Sequence, residues 1–390
     1  MTADTYDIVV VGGGIHGVGV AQAASAAGYR TLLLEQTALA SGTSGRSSKL
    51  VHGGLRYLEN AQLRLVYESL HERSRLLALA PDLVGLAPFY IPIFRGTARR
   101  PWKVGIGLSL YALLGGLAPG TRFAMVPRRD WAELDGLRTD GLQAVWRYHD
   151  AQTDDAALTR AVMRSAIDLG AEIACPAEFM SAVRLDEGYR IVVREGGADK
   201  ERFSRALVNA AGPWIDLVAQ RVTPAPPRLA IELVQGTHMI LPDRLARGVY
   251  YVEAPRDRRA IFVMPWHGQT LVGTTESPYF GDPALVRPLP EELTYLQETV
   301  HHYFPERSLH FSDSFSGLRV LPRGDTRPFH RPRGTLFVRD LSRPAHYVAI
   351  YGGKLTGYRA AGAHVVQLLR GALPKAAQVA DTARILLRPD

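Results

Sequence analysis

YDIVVVGGGIHGVGVAQAASAAGYRTLLLE, residues 6–35, decides how the rest of the chain is read. Residues 6–11 are a continuous valine-rich run, as expected for a strand buried on both faces of a parallel sheet. Residues 14–27 are small and helix-compatible, and Gly28 is a natural stop. Residues 30–35 form a second apolar strand. Gly12, Gly14 and Gly17 stand in G-x-G-x-x-G spacing after a strand and at the start of a helix, which is the context this pattern requires. Missing side chains let backbone N–H groups at the helix N-terminus meet a pyrophosphate, where the helix dipole favours negative charge. Glu35 closes the second strand about twenty residues on, where a carboxylate can bind ribose hydroxyls. The unit is expected to bind a dinucleotide. The alternative is a glycine-rich turn that only packs.

Which dinucleotide is decided by the next stretch, SGTSGRSSKLVHGGLRYLEN, residues 41–60. A plain nicotinamide fold would lead from the second strand into a short crossover. Here a long polar loop follows, with Thr43, Ser44 and Ser48 able to hydrogen-bond an extended cofactor along its length. ALVNAAGPW (206–214) and YGGKLTG (351–357) also place glycine after buried strands. Three strand ends then converge on one extended ligand, as a flavin dinucleotide needs.

The chain has 390 residues, enough for two intertwined cores. With 46% hydrophobic and 22% charged residues it is globular and not disordered. The net charge of +8 fits an anionic substrate, an acidic membrane surface or nucleic acid, or it has no functional meaning. No Lys/Arg block carries interleaved aromatics, so nucleic acid ranks last. Cys175 is the sole cysteine. It allows neither a disulfide framework nor a cysteine metal site, and a reducing cytoplasm is the simplest fit. Cys175 is expected to be a small core residue near a strand end. No metal constellation is visible. The N-terminus has no basic region and runs into a strand, unlike a signal peptide. VGIGLSLYALLGGLAPG (104–120) is shorter than a membrane span and is broken by glycines. It follows Arg99, Arg100 and Lys103, which suits either a helix lying in a membrane interface or a buried helix under a lid.

Residues 59–79 are helical in pattern, with Leu63, Val66, Tyr67, Leu70 and Leu77 on one face, and Pro81 ends them. Residues 88–150 resemble an insertion. Helical pattern returns at 155–169, and strands are expected at 189–194 and 206–210. Residues 229–327 are β-rich, with IFVMP and TLVGTT flanking WHGQ as a hairpin. A helix at 290–304 carries Leu293, Leu296, Val300 and Tyr303 on one face. The last unit is a strand at 347–351, then GGK, then a helix through 369. The fold class is α/β. The dinucleotide-binding domain is expected from 1–87, 151–225 and 331–390. A second, substrate-binding domain comes from 88–150 and 226–330.

VVGGGIHGVG, SSKLVHGGLRYLE, LVNAAGPW, LVQGTHMILP, FVMPW, LVGTTE, SGLRVLPRG, VRDL and YGGKLTGYR occur in this order. Together they resemble the FAD-dependent glycerol-3-phosphate dehydrogenase family of D-amino-acid oxidase-like flavoproteins. The resemblance covers nearly all of residues 6–370. SSKLVHGGLRYLE and GGKLTGYR are specific to that family, whereas many flavoproteins share the glycine loop. It implies a glutathione-reductase-like FAD-binding Rossmann domain interleaved with an antiparallel β-sheet substrate domain. It also implies oxidation of sn-glycerol 3-phosphate to dihydroxyacetone phosphate, with electrons passing to a quinone or another acceptor at the cytoplasmic membrane face. Carried over residue by residue, it places Arg56 and Tyr57 near the substrate phosphate and His238 at the reacting end. Arg319 and Arg339 match the two arginines of the substrate pocket, and Lys354 lies by both flavin and substrate. Ser48, Lys49 and Leu50 match the flavin-facing loop. Gly212, Gly353, Leu355 and Thr356 fall in the cofactor-binding turns.

The chemistry agrees on its own terms. A phosphate dianion in a partly dry pocket needs several bidentate donors, and arginine supplies them. Removing a hydride from an alcohol requires a base for the hydroxyl proton, and histidine has the range for it. We therefore assign His238, Arg319 and Lys354 to catalysis, and Arg56, Tyr57 and Arg339 to substrate binding. Taken singly, the arginines could be surface or salt-bridging residues, and His238 a satisfied core histidine. His267, His301 and His302 read as structural. The sequence departs from the family at His16 (usually Asn), Arg46, Glu276 (usually Asp) and Gly357. Typical bacterial members carry a further helical domain beyond the matching region, so the oligomeric state stays open. His52 is a conceivable covalent tether for FAD, with a non-covalent role preferred. Two rivals remain: a flavoenzyme for an unphosphorylated hydroxy acid or amino acid, and a flavin-bound scaffold without turnover.

Overall fold

A computed structural model describes residues 5–324 and 334–389. The opening strand (Thr5–Val11) lies at the centre of a nine-stranded sheet, between Ala198–Asn209 and Thr31–Leu34, parallel to both. Tyr347–Gly352 runs parallel to Ala198–Asn209, and Glu172–Ala174 parallel to Thr31–Leu34. The parallel strands are apolar on both faces because helices Ile15–Ala26, Asp155–Asp168 and Tyr358–Leu369 cover one side. A second apolar layer around Phe179, Ile191 and Tyr347 covers the other. Because the strands are parallel, the ends at Val11, Leu34, Asn209 and Gly352 open on one edge. Ligands bind at that edge in open α/β sheets.

The second sheet has ten strands. Ile231–Leu241 is a hub, pairing antiparallel with Gln269–Gly273, Ser277–Tyr279 and Asp313–Pro322. The expected hairpin is present, with Trp266 opposite Gln269. His267 and Gly268 both have positive φ in its two-residue turn, as a primed hairpin turn requires. Val249–Glu253 and Val84–Phe94 pair in parallel, so the sheet is mostly, not wholly, antiparallel. Leu50–Val51 and residues 84–87 and 151–153 belong to this second sheet. These pairings join residues on both sides of 87/88 and 150/151 in one sheet. The division at 330/331 lies outside the described residues.

Three local expectations change. Helix Leu63–Leu79 leaves Leu63 and Tyr67 exposed and buries Ser69, Glu72 and Arg73 with Val66 and Leu70. The apolar pattern mispredicted that face because the polar residues are buried as ion pairs. Arg73 Nη1 lies 2.6 Å from Asp150 Oδ1, and Glu72 pairs with Arg359. Cys175 is exposed, not in the core, since it lies in the bend that follows the sheet-edge strand Glu172–Ala174. Lys49, expected beside the flavin, is engaged in a buried ion pair. Its Nζ donates to Asp155 Oδ1 and to the Gly45 carbonyl, both at 2.6 Å. The pair is almost completely buried.

Burial raises the Asp155 carboxyl pKa, although Lys49 and Ser47 oppose it. Breaking a buried pair leaves an uncompensated charge. Asp155→Asn is expected to cost roughly 3–5 kcal/mol, read as a lower denaturation midpoint with unchanged slope.

Candidate active site

Where the open edge of the first sheet meets the second, a cavity of about 660 Å³ lies between them. Gly12, Gly13 and Gly14 border it at the N-terminus of helix Ile15–Ala26. Gly17 does not. A side chain there would put its Cβ 1.8 Å from the Gly12 carbonyl oxygen, so this glycine lets the helix start against the strand. Ser44 Oγ accepts from the Ile15 N–H at 2.8 Å, tying the polar loop to the helix start. Glu35 ends its strand beside the cavity. Its Oε2 accepts from the Gly13 N–H at 2.7 Å and its Oε1 from the Thr37 N–H at 2.8 Å. Thr43, Ser48, Leu50, Gly212, Gly353, Leu355 and Thr356 also line the cavity.

At its other end the cavity reaches the second sheet. His238 is buried on the hub strand, opposite Gly273 and Phe315. A Cβ on Gly273 would lie 2.1 Å from His238 Cδ2, so only glycine admits the imidazole. Phe315 stacks on the ring at 4.9 Å. Ser48 Oγ and His238 Nε2 are 3.0 Å apart. The strand is braced by Glu292, which accepts from Gln235 at 2.6 Å and from Thr275 at 2.7 Å. Burial, then the charges of Arg319 and Lys49, lowers the His238 pKa to about 3.

Lys354 sits in the turn before Tyr358–Leu369. Its Nζ lies 3.9 Å over the Tyr57 ring and donates to Ser69 Oγ at 3.1 Å. The Arg56 guanidinium carbon lies 5.4 Å from the centre of the same ring. The loop carrying both is held from below. The Gly53 N–H donates to Tyr111 Oη at 2.9 Å, and Tyr111 donates to Asp150 at 2.6 Å. Arg319 Nη2 donates to Thr274 Oγ1 at 3.1 Å.

His238, Arg319, Lys354, Arg56 and Tyr57 therefore border one cavity. Arg339 does not. It is exposed at the far end of Thr335–Arg339, whose Thr335 pairs with Gly352 beside the cavity. Four residues of strand carry Arg339 about 13 Å away. Sequence reasoning missed Arg259, Tyr251 and Phe262, which also line the site. Arg259 lies in RDRR, a run that reads as a solvated turn, and no sequence signal separates it from its neighbours.

Residues 7–364 match the pattern of the FAD dependent oxidoreductase family. The chain belongs to that family. It is 37% identical over 367 residues to D-erythritol 1-phosphate dehydrogenase of Brucella abortus, covering 91% of this chain and 72% of that protein. It is 33% identical over 385 residues to aerobic glycerol-3-phosphate dehydrogenase of Escherichia coli, covering 94% and 74%. The solved structure of glycerol-3-phosphate dehydrogenase from Bacillus halodurans, complexed with FAD, superposes with a TM-score of 0.77 at 27% identity. That match covers 99% of this chain and 68% of the other.

The cavity of this FAD-dependent oxidoreductase fits its cofactor. Bare backbone at Gly12–Gly14 faces a helix N-terminus with no acidic residue in its first turn. These groups would hold the pyrophosphate, and Glu35 the ribose. FAD supplies a hydride acceptor. His16 borders the cavity beside this loop, but both ring nitrogens are closed to water and have no hydrogen-bond partner within the protein. Its burial lowers the pKa to about 4.

His16 and His238 are thus neutral when folded and take up a proton on unfolding below about pH 6.5. The unfolded chain binds more protons between that pH and about 3–4, so stability rises with pH across this window. Thermal melting of the cofactor-free protein should fall below pH 6.5, each histidine contributing up to about 1.4 kcal/mol per pH unit. His238→Asn should flatten that slope; an unchanged slope would contradict the neutral assignment.

Proposed function

We propose that this enzyme oxidises sn-glycerol 3-phosphate, or a close phosphorylated polyol, at a carbinol carbon, yielding dihydroxyacetone phosphate from the former. One observation carries this reading: Arg56, Arg319 and Lys354 border the same cavity as the buried His238. A small dianion would meet several fixed cations in a low-dielectric site. The relatives named above for phosphorylated polyols point the same way.

His238 would take the hydroxyl proton as the hydride leaves. With a pKa of about 3 it is a weak base in the empty site. A phosphate dianion offsets the charge of Arg319 and raises that pKa, so substrate itself prepares the base. Lys354 would stabilise the developing alkoxide. An unphosphorylated substrate would lack this effect.

We also assign a membrane-facing role to helix Pro101–Leu114, with a quinone as the electron acceptor. No helix among the described residues is long and apolar enough to cross a membrane. This one buries Val104, Leu108 and Tyr111 but exposes Trp102 by 63%, Ile106 by 61% and Leu113 by 63%. Exposed Arg100, Lys103, Arg122 and Arg128 stand near it in sequence. An apolar stripe with cationic neighbours suits an anionic bilayer surface.

Anaerobic mixing of the FAD-loaded enzyme with a substrate panel tests the chemistry. Glycerol 3-phosphate or erythritol 1-phosphate should bleach the yellow absorbance, while glycerol, lactate and amino acids at equal concentration should not. Bleaching by an amine or hydroxy acid alone would overturn the phosphate assignment. His238→Asn should slow bleaching about 10²–10⁴-fold. For the surface, wild type should sediment with vesicles containing anionic lipid, and Trp102→Ser/Ile106→Ser should stay in the supernatant.

A further inference from the structure

Arg339 leaves the anion site one guanidinium short of the number read from the sequence. The structure supplies another from a different strand. Arg259 precedes Ala260–Trp266 and borders the cavity beside Phe262 and Thr274. Its side chain is only 17% exposed. Glu276, at the end of the segment that follows Gln269–Gly273, stands behind it. Glu276 does not line the cavity, and its side chain is 4% exposed.

This one carboxylate serves two arginines. Its Oε2 lies 3.2 Å from Arg259 Nη2, and its Oε1 lies 3.8 Å from Arg319 Nη1. The neighbouring backbone contributes as well: Arg259 Nη1 donates to the Glu276 carbonyl at 3.5 Å, and Arg319 Nη1 to the Thr275 carbonyl at 3.4 Å. Each guanidinium has five N–H donors in a fixed fork. A carboxylate that engages one side of both forks holds them at a set separation and offsets their mutual repulsion. Both arginines also line the cavity, where a bound anion would meet them.

We infer that Arg259 is a substrate-anion contact paired with Arg319, and that Glu276 is the positioning residue that holds the pair. The inference rests on the phosphorylated-substrate reading. The Glu276 side chain reaches both arginines at once. The phosphate of the polyol would be met by a built fork on the second sheet, with Arg56 and Lys354 bordering the same cavity.

The test uses the FAD-loaded enzyme and anaerobic bleaching by glycerol 3-phosphate, read as a limiting rate and a half-saturating concentration. Arg259→Ala should raise half-saturation about 10–100-fold with a limiting rate within a few-fold of wild type, and Arg259→Lys should recover part of the loss. Glu276→Gln should raise half-saturation at least fivefold, and Glu276→Asp should fall between it and wild type. Bound-FAD absorbance and melting temperature report whether each variant is folded. Should Arg259→Ala prove unstable, protection of the melting temperature by inorganic phosphate in Arg259→Lys replaces it, with weaker protection expected than in wild type. Half-saturation equal to wild type in folded Arg259→Ala, or in Glu276→Gln, overturns the inference. Failure of wild type itself to bleach with any phosphorylated polyol overturns the substrate reading instead.

Discussion

The Cα of Gly17 packs against the Gly12 carbonyl so closely that a methyl group would come within 1.8 Å of the oxygen. That contact lets a helix begin immediately at the carboxyl end of the central strand. Its N–H groups then point to the edge where four parallel strands open. Every other element of the cofactor end is placed relative to this junction. Glu35 accepts the Gly13 N–H, Ser44 accepts the Ile15 N–H, and the polar loop is drawn across the edge. The loop is held at its other end by Lys49, whose ammonium is buried against Asp155. A residue that looks like a ligand contact in the sequence ties this loop to the start of helix Asp155–Asp168.

The substrate end is governed by charge in a shielded space. Burying cations is costly unless each finds a partner. The structure meets this with carboxylates and hydroxyls set behind the cavity wall: Glu276 behind Arg259 and Arg319, Ser69 behind Lys354. The side facing the cavity keeps its positive potential. His238 feels that potential and its own burial, and it remains neutral. The same arrangement would favour an anion in the cavity, and it keeps the imidazole uncharged.

The outward face of helix Pro101–Leu114 follows a different logic. Tyr111 on its inner face holds both Gly53 and Asp150, so the helix supports the loop bearing Arg56 and Tyr57. Its outer face carries Trp102, Ile106 and Leu113 without burying them. One short helix thus joins the substrate loop to an apolar surface.

The local pattern of the chain determined the strand–turn–helix unit, its dinucleotide chemistry, the hairpin at 260–273 and the final strand and helix. Each of these is a matter of neighbouring residues: period, glycine spacing and turn chemistry act within a few positions. The ordered motifs further brought His238, Arg319, Lys354, Arg56 and Tyr57 to attention, and all five border one cavity. Tertiary structure alone decided the rest. Arg259 precedes one strand and Arg339 ends another, and only their places in the folded sheets set one at the cavity and leave the other exposed. Lys49 and Ser48 are adjacent, yet Ser48 meets His238 while the Lys49 ammonium pairs with a buried carboxylate 106 positions away. The buried faces of helix Leu63–Leu79 were hidden for the same reason, since Glu72 and Arg73 look solvated until Arg359 and Asp150 are brought to them. Charge pairing between distant segments leaves no periodic trace in a sequence, because Coulomb attraction depends on separation in space and not along the chain.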